Sequence, residues 1–302
     1  MAKSLPDKFP PAEKSFSLYE DIEYQEYWEE PGLDRLDALE QHLITELLPA
    51  SGRSIIDLGC GYGRLAPCYV DRFERVVLCD GSLSLLHGAR ETLGDRAVLV
   101  AADVTRLPFK PASFDAVLTI RVLQHIQNLE CAFEEAHRIL ARDGTFVFSY
   151  HNKSNPHRVL RYLADRSSGN PFTLESVPVW ATLISHHPRR VGALMREAGF
   201  SDPEYCGTVV VNALANITDR LGRKSPSGAS WAQLMGRLRI APWLIGQSFS
   251  QGGSELAPGD DASEILACPA CHGDLSRSDR GFGCSACTRM YPIEDGIFDF
   301  RV

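Results

Sequence analysis

The sequence predicts an α/β fold, a parallel sheet with helices on both faces, followed by a small cysteine-rich unit. Three observations carry this. From about residue 53 to 150, short apolar runs alternate with stretches of helix-spaced apolar residues, the pattern of a sheet covered on both faces. A glycine turn, Asp57-Leu58-Gly59-Cys60-Gly61-Tyr62-Gly63, follows the first run. Two Cys-x-x-Cys pairs stand near the C-terminus. At 302 residues, 44% hydrophobic and 23% charged, the chain is long enough for one sizeable core plus an appendage.

The first fifty residues read as a helical or lid segment. Residues 1–30 are polar, with aromatics at Tyr19, Tyr24, Tyr27 and Trp28; these fit either a helix packed on the sheet or a lid over a bound ligand. Leu36, Leu39, Leu43 and Leu47 recur at helical spacing and Pro49 ends the run. The main domain is expected over 51–250. Its strands are predicted at 53–57, 75–80, 97–101, 115–120 and 144–150, its helices around 64–71, 82–93 and 130–140. Arg142-Asp143-Gly144 is a turn feeding the fifth strand.

Two inserts, 151–187 and 212–238, break the regular pattern, as substrate-contacting segments commonly do. Between them Val191, Leu194, Met195 and Ala198 line a helix that Gly199 can cap. Gly207 to Val211 is β-rich, and Ile240 to Gly246 reads as a last strand. Residues 251–262 have linker composition, and 263–302 form a separate small unit.

The glycines alone are weak evidence, since Gly61, Gly63 and Ala66 also fit a relaxed dinucleotide fingerprint. Two acids discriminate. Asp57, just before the turn, suits a cationic amino group and would repel a pyrophosphate. Asp80 ends the second strand about 20 residues on, where an acid suits a ribose diol. Asp57, Asp80 and Asp103 each also fit a turn or helix-cap role.

This order of acid, glycine turn and acid resembles the class I S-adenosylmethionine-dependent methyltransferases, with their Rossmann-like sheet, over roughly residues 50–250. The resemblance implies that Asp57, Gly59, Cys60, Gly61 and Gly63 surround the methionine portion of the cofactor. It implies that Asp80, with Gly81 and Ser82, holds the ribose, and that Asp103 and Val104 border the adenine. Arg121, at the end of the fourth strand, would border the reacting methyl. Arg64 reads as a solvated residue. An NAD-type oxidoreductase is the competitor that Asp57 disfavours. A non-catalytic cofactor-binding module is the competitor that the intact acids disfavour.

A methyltransferase needs a base only where the acceptor must lose a proton. His125 and His151 follow the fourth and fifth strands and are the candidates, each with a bland reading as a packing histidine. His186 and His187 read as a helix-entry turn. The run Thr119-Ile120-Arg121-Val122-Leu123-Gln124 lacks the Asn/Asp-Pro-Pro-aromatic signature of enzymes that methylate adenine or glutamine amides. Oxygen, carbon or other nitrogen acceptors stay open.

Cys268, Cys271, Cys284 and Cys287 form two knuckles with twelve residues between the pairs. Four thiolates suit tetrahedral structural zinc, with an iron site or redox dithiol as alternatives. A unit of this size has too small a core to fold securely without such a staple. From Ile265 to Leu275 and from Tyr291 to Phe298 it resembles the zinc-ribbon activator subunits of tRNA, ribosomal and release-factor methyltransferases. That resemblance implies a ribbon packed in cis on the catalytic domain.

The net charge of −8 gives no global basic field for nucleic acid, so a small-molecule acceptor is expected over RNA. Local basic stretches (His157-Arg158, Arg161, Arg166, Arg189-Arg190, Arg220, Arg223-Lys224) keep RNA as the alternative. No apolar run approaches a membrane span and no signal-peptide core opens the chain. The five other cysteines are scattered as reduced thiols would be. A cytoplasmic protein is the expectation.

Overall fold

A computed structural model describes Trp28 and residues 33–166, 169–180, 183–208, 228–257 and 262–301. Tyr19, Tyr24, Tyr27, residues 209–211 of the expected β-rich run, Arg220, Arg223, Lys224 and most of the second insert lie outside the described residues.

The chain runs α1 (Asp34–Leu47), β1 (Gly52–Leu58), β2 (Phe73–Asp80), α2 (Leu83–Leu93), β3 (Val98–Ala101), β4 (Phe114–Thr119), α3 (Leu129–Ile139) and β5 (Leu140–His151). The first insert contributes α4 (Pro156–Ala164) and a hairpin of β6 (Val177–Trp180) and β7 (Leu183–Ser185). Then come α5 (Pro188–Glu197), β8 (Glu204–Gly207), α6 (Gly228–Arg237) and β9 (Trp243–Phe249). The C-terminal unit holds β10 (Leu275–Ser278), β11 (Gly281–Cys284), β12 (Met290–Tyr291), β13 (Ile293–Glu294) and β14 (Ile297–Asp299).

Nine strands form one sheet in the order β13-β14-β3-β2-β1-β4-β5-β9-β8. From β14 to β5 neighbouring strands pair in parallel, while β9 and β8 return antiparallel. Alternate residues point to opposite faces. Ile56, Val77 and Val117 therefore enter one apolar layer with Phe133, Phe146 and Phe148. Ile55, Val76 and Leu78 enter the other with Leu43, Ile44, Tyr69, Leu86 and Ala89. Strand order reverses between β1 and β4. Connections there leave in opposite directions, so a crevice opens beyond the C-terminal ends of these strands.

Three expectations need correction. Residues 64–71 do not form a helix; turns and a three-residue 3-10 segment, Ala66–Cys68, take their place. Pro67 has no N–H to continue a helical ladder, and the bonds here reach back three residues, as from Cys68 N to Leu65 O (2.9 Å). The last strand begins at Trp243, not Ile240, because Pro242 cannot donate to the ladder; its carbonyl accepts from Asn152 N instead (2.7 Å). The fifth strand starts at Leu140 and its register shifts before Thr145, with Asp143 in the left-handed region (φ 60°).

The C-terminal unit packs on the main domain in cis. Its tail strand β14 pairs in parallel with β3, Ile297 beside Leu99 and Asp299 beside Ala101. Ile297 is fully buried, and Phe282 packs between Phe298 and Phe300. At its other end Lys110 N donates to Ile265 O (2.7 Å) and Ala267 N to Pro108 O (3.0 Å). The tail thus covers an edge that a parallel sheet would otherwise leave open. Residues 251–257 also hold to the domain, through Arg142 N to Ser254 O (2.8 Å) and Ala257 N to Ala112 O (2.7 Å).

Candidate functional site

The glycine turn lies at the crevice. Gly59, Gly61 and Gly63 all have positive φ (72°, 58° and 82°), a region that costs an L-residue with a Cβ. At Gly59 a Cβ would also overlap the Val122 side chain. The turn is tied to β2 by Gly59 N donating to Cys79 O (2.7 Å). Thr119 Oγ1 donates to Leu58 O (3.0 Å) from the β4 side.

Asp80 fixes the middle of the turn. Its Oδ2 accepts from Gly61 N (2.8 Å) and its Oδ1 from Ser82 N (2.9 Å). Ser82 in turn caps α2, accepting from Leu85 N. Burial raises the Asp80 pKa, against the backbone donors of Ser82, Gly61 and Gly81, which lower it. Asp80 therefore holds the turn and the approach to α2, while the cap itself is Ser82.

Asp57 sits beneath the turn, 2% exposed, and accepts one hydrogen bond from Tyr69 Oη (2.7 Å). Burial pushes its pKa up to about 7, against the Tyr69 bond and the Arg64 charge, which lower it. Asp103 spends its Oδ1 on a local turn, accepting from Thr105 N and Thr105 Oγ1 (both 2.8 Å). Val104 packs against the core. Cys60 is buried and its thiol lies 3.4 Å from Gly61 O.

Arg121 and Arg64 close the side of the crevice toward α1. Buried Glu40 holds both: Arg64 Nη2 lies 2.8 Å from Oε2, and Arg121 Nη2 lies 3.0 Å from Oε1. Arg64 also pairs with Asp37, and both guanidiniums stack on Trp28, at 3.8 and 5.0 Å. Burial works to raise the Glu40 pKa, but the two arginines outweigh it and hold it low. Arg64 is thus 9% exposed in its side chain, not solvated as expected from the sequence. Arg121 has positive φ (62°), and its N donates to Ser149 Oγ (2.7 Å).

The other wall comes from β5, β9 and the first insert. Trp243 lies under the Arg121 guanidinium (4.5 Å) and against the His151 ring (5.2 Å, edge-on). His151 Nδ1 is 2.5 Å from Ser185 Oγ, which Arg158 Nη1 approaches at 3.5 Å. Burial, with the nearby Arg158, His186 and Arg121 charges, lowers the His151 pKa to about 4. His186 is buried rather than in a simple turn. Its Nε2 lies 3.0 Å from Leu123 O and its Nδ1 2.8 Å from Ser176 Oγ. His187 caps α5. His125 is half-buried on the turn after β4, 3.1 Å from Gln124 Nε2.

Much of the site lies outside any sequence motif: Glu40, Tyr69, Trp243, Ser185 and Arg158 carry none. One signal was present: Asn155-Pro156 is a cap followed by proline at the first helical position, which announces α4 inside a segment read as irregular.

In the C-terminal unit the sulfurs of Cys268, Cys271, Cys284 and Cys287 all lie within 4.8 Å of one another. Cys268 to Cys287 is 3.6 Å and Cys271 to Cys284 is 3.5 Å. These are far longer than a disulfide bond. They approach the roughly 3.8 Å edge of a sulfur tetrahedron with metal–sulfur bonds of about 2.3 Å. Buried Tyr291 places its hydroxyl 3.0 Å from Cys268 Sγ, an outer-shell partner of the kind metal thiolates use.

A family model described as a methyltransferase domain matches residues 56–148, and one described as Trm112p-like protein matches 261–296. A demethylmenaquinone methyltransferase of Roseiflexus castenholzii is 30% identical over 173 residues, 52% of this chain and 71% of that protein. A malonyl-acyl-carrier-protein O-methyltransferase of Geobacter sulfurreducens is 38% identical over 116 residues, 35% of this chain. The chain spans only 42% of that relative's length. A chain from the solved complex of the Haloferax volcanii Trm112 methyltransferase activator with a methyltransferase aligns with a TM-score of 0.53. It is 18% identical, with 76% of this chain and 96% of that one covered, a likeness of fold.

Proposed function

The chain belongs to the class I S-adenosylmethionine-dependent methyltransferases, and on that premise we propose that it transfers a methyl group from S-adenosylmethionine to an oxygen, carbon or nitrogen of a small-molecule acceptor. The observation that carries the reading is the glycine turn pinned by Asp80 above a buried Asp57 with one hydrogen bond. A desolvated carboxylate with so few donors is matched by a cation, and the cofactor's ammonium is one.

When bound, the cofactor supplies an electrophilic methyl on a sulfonium; the protein's part is to bind, orient and exclude water. Asp57 receives the ammonium. The backbone of Gly59, Cys60, Gly61 and Gly63 passes close to the methionine portion. Asp80, with Gly81 and Ser82, takes the ribose, and Asp103 and Val104 take the adenine edge. Arg121, held by Glu40, borders the acceptor side with Trp243. His151 is neutral at physiological pH and so free to accept a hydrogen bond or a proton, though its low pKa makes it a weak base; His125 is the second candidate.

The four cysteines fit zinc best, and we assign them a structural zinc with no open position. The ribbon then acts in cis as a staple on the sheet. Among the described residues no helix is long and apolar enough to cross a membrane, and buried free thiols at Cys60, Cys68, Cys79 and Cys206 support a cytoplasmic setting.

Calorimetry with S-adenosylhomocysteine tests the reading. The expected result is binding that Asp80→Ala weakens at least about tenfold, since the turn loses its tether and the ribose its acceptor. No binding by the wild-type protein overturns it. The match to a Trm112p-like protein favours a second reading, an RNA acceptor. A steep loss of tRNA binding with salt would support that reading; no shift with tRNA at low salt would remove it.

A further inference from the structure

The first insert is built inside out. In α4, Leu160 and Leu163 share one face and Arg158 and Arg161 another. Arg158 turns toward the site, reaching Ser185, which contacts His151. The leucines point the other way, 67% and 55% exposed, and no residue of α4 is buried. Beside the helix Phe172 meets Tyr162 edge-on (6.2 Å). Phe172 and Leu174 are 61% and 51% exposed. This is no frayed loop. Lys153, fully buried, donates through Nζ to Thr173 O (2.9 Å), Thr173 Oγ1 (2.7 Å) and Glu175 O, and so anchors the segment that carries both side chains.

Four of the eight large apolar side chains exposed on the described residues fall between 160 and 174, a concentration of exposed apolar surface on this one insert. The charge around them is also local. Residues 156–166 carry Arg158, Arg161 and Arg166 against Asp165, on a chain whose net charge is −8. An apolar face flanked by arginines is the pattern of an element that lies in a membrane interface, where leucine and phenylalanine enter the acyl boundary and arginine meets anionic headgroups.

We propose that α4 and the 172–174 loop dock the protein peripherally on an anionic lipid bilayer. The inner side of the same insert, through Arg158 and Ser185, lines the acceptor side of the crevice, so docking through its outer face holds a wall of that crevice at the bilayer. The acceptor class that follows is a lipid-soluble small molecule drawn from the membrane; this last step rests on the methyl-transfer reading, the docking does not.

Co-sedimentation of the full chain with vesicles decides it. With equimolar phosphatidylglycerol and phosphatidylcholine, binding is expected that falls as salt rises and is lost with phosphatidylcholine alone. Leu160→Ser with Leu163→Ser should weaken it by about tenfold or more, because each exposed leucine gives up its burial in the acyl boundary. Arg161→Ser with Arg166→Ser should remove the preference for anionic vesicles. All four positions are exposed, so folding is not at risk, and calorimetry with S-adenosylhomocysteine on the same samples checks it. Donor binding without enrichment on anionic vesicles overturns the docking and leaves methyl transfer standing. Vesicle binding without donor binding supports the docking and overturns methyl transfer. Self-association in the ultracentrifuge that the leucine variant abolishes, without vesicle binding, gives the face to a second copy of the chain and overturns the proposal.

Discussion

The two sides of the crevice are made of different material. The side proposed for the donor is mostly backbone: glycines in the left-handed region, amides of 59 and 61 bonded to β2 and Asp80, all within strand ends that follow one another in the chain. The side proposed for the acceptor is side chains from distant segments: Glu40 of α1, Arg121 after β4, His151 of β5, Trp243 of β9 and Ser185 of the hairpin. A backbone site demands glycine and a few acids at fixed spacing and tolerates little else. A side-chain site constrains no spacing. A backbone site of this kind suits a ligand common to many enzymes, and a side-chain site suits contacts particular to one.

Removing the zinc proposed for the four cysteines should give the largest effect, and the effect should fall on one side. The ribbon's tail forms the sheet edge next to β3, adjacent to the Asp80 end of β2, whereas β9 and β8 close the opposite edge. Chelation, or Cys268→Ser with Cys284→Ser, should lower the melting temperature by on the order of 10 °C. Hydrogen exchange should then show β14 and β3 amides losing protection while β9 and β8 amides keep theirs. Uniform loss across the sheet would break the distinction between the sides.

Next in size is Gly59→Ala. The new Cβ meets Val122 and sits at φ +72°, so the turn must move, and donor affinity should fall about 100-fold or more. Gly94→Ala separates strain from site geometry. That glycine has φ +58° and ψ −130°, a conformation essentially confined to glycine, with nothing near its Cβ position, so the change should cost roughly 1–3 kcal/mol of stability and leave donor affinity unaltered. His151→Gln, on the other side, should change donor affinity less than about twofold. Calorimetry measures all three, and a large donor effect from His151→Gln would erase the contrast.

The same contrast explains what the sequence made legible. Strands β1 to β5, helices α2, α3 and α5 and the three glycines follow from periodicity and from φ values only glycine readily adopts. Asp57 and Asp80 stand out by their spacing, which also fits caps or turns; Asp80 tethers Gly61 and Ser82, and the cap of α2 is Ser82. Arg64 was misjudged because its partners, Asp37 and Glu40, lie 27 and 24 residues away and no local pattern joins them. The pairing of β14 with β3 joins residues about 200 apart. Local periodicity marks a strand but not which edge it will find.

The smallest effect is the most specific to the donor side. Burial raises the Asp57 pKa to about 7 from a usual carboxylate value. A bound ammonium favours the charged form, so the pKa falls on binding. Above pH 7 the carboxylate is already charged and affinity is flat. Below pH 7 binding must first expel a proton, at about 1.36 kcal/mol per pH unit, so affinity should fall by up to tenfold per unit until the bound-state pKa is reached. Stability runs on different terms. Raised Asp57 favours the fold at low pH and loses that contribution as pH rises through about 7, while His151 and His186, lowered to about 4, favour the fold above 6.5 and lose theirs as pH falls toward 4. The signs oppose, so melting curves mix the two sides of the crevice and affinity isolates one. S-adenosylhomocysteine titrations at pH 8, 7, 6 and 5.5 should trace the bend at Asp57, with proton release on binding read from an observed enthalpy that varies with buffer ionisation heat. Asp57→Asn should bind weakly at every pH and show no bend; a bend that survives in that variant would assign the proton to another group.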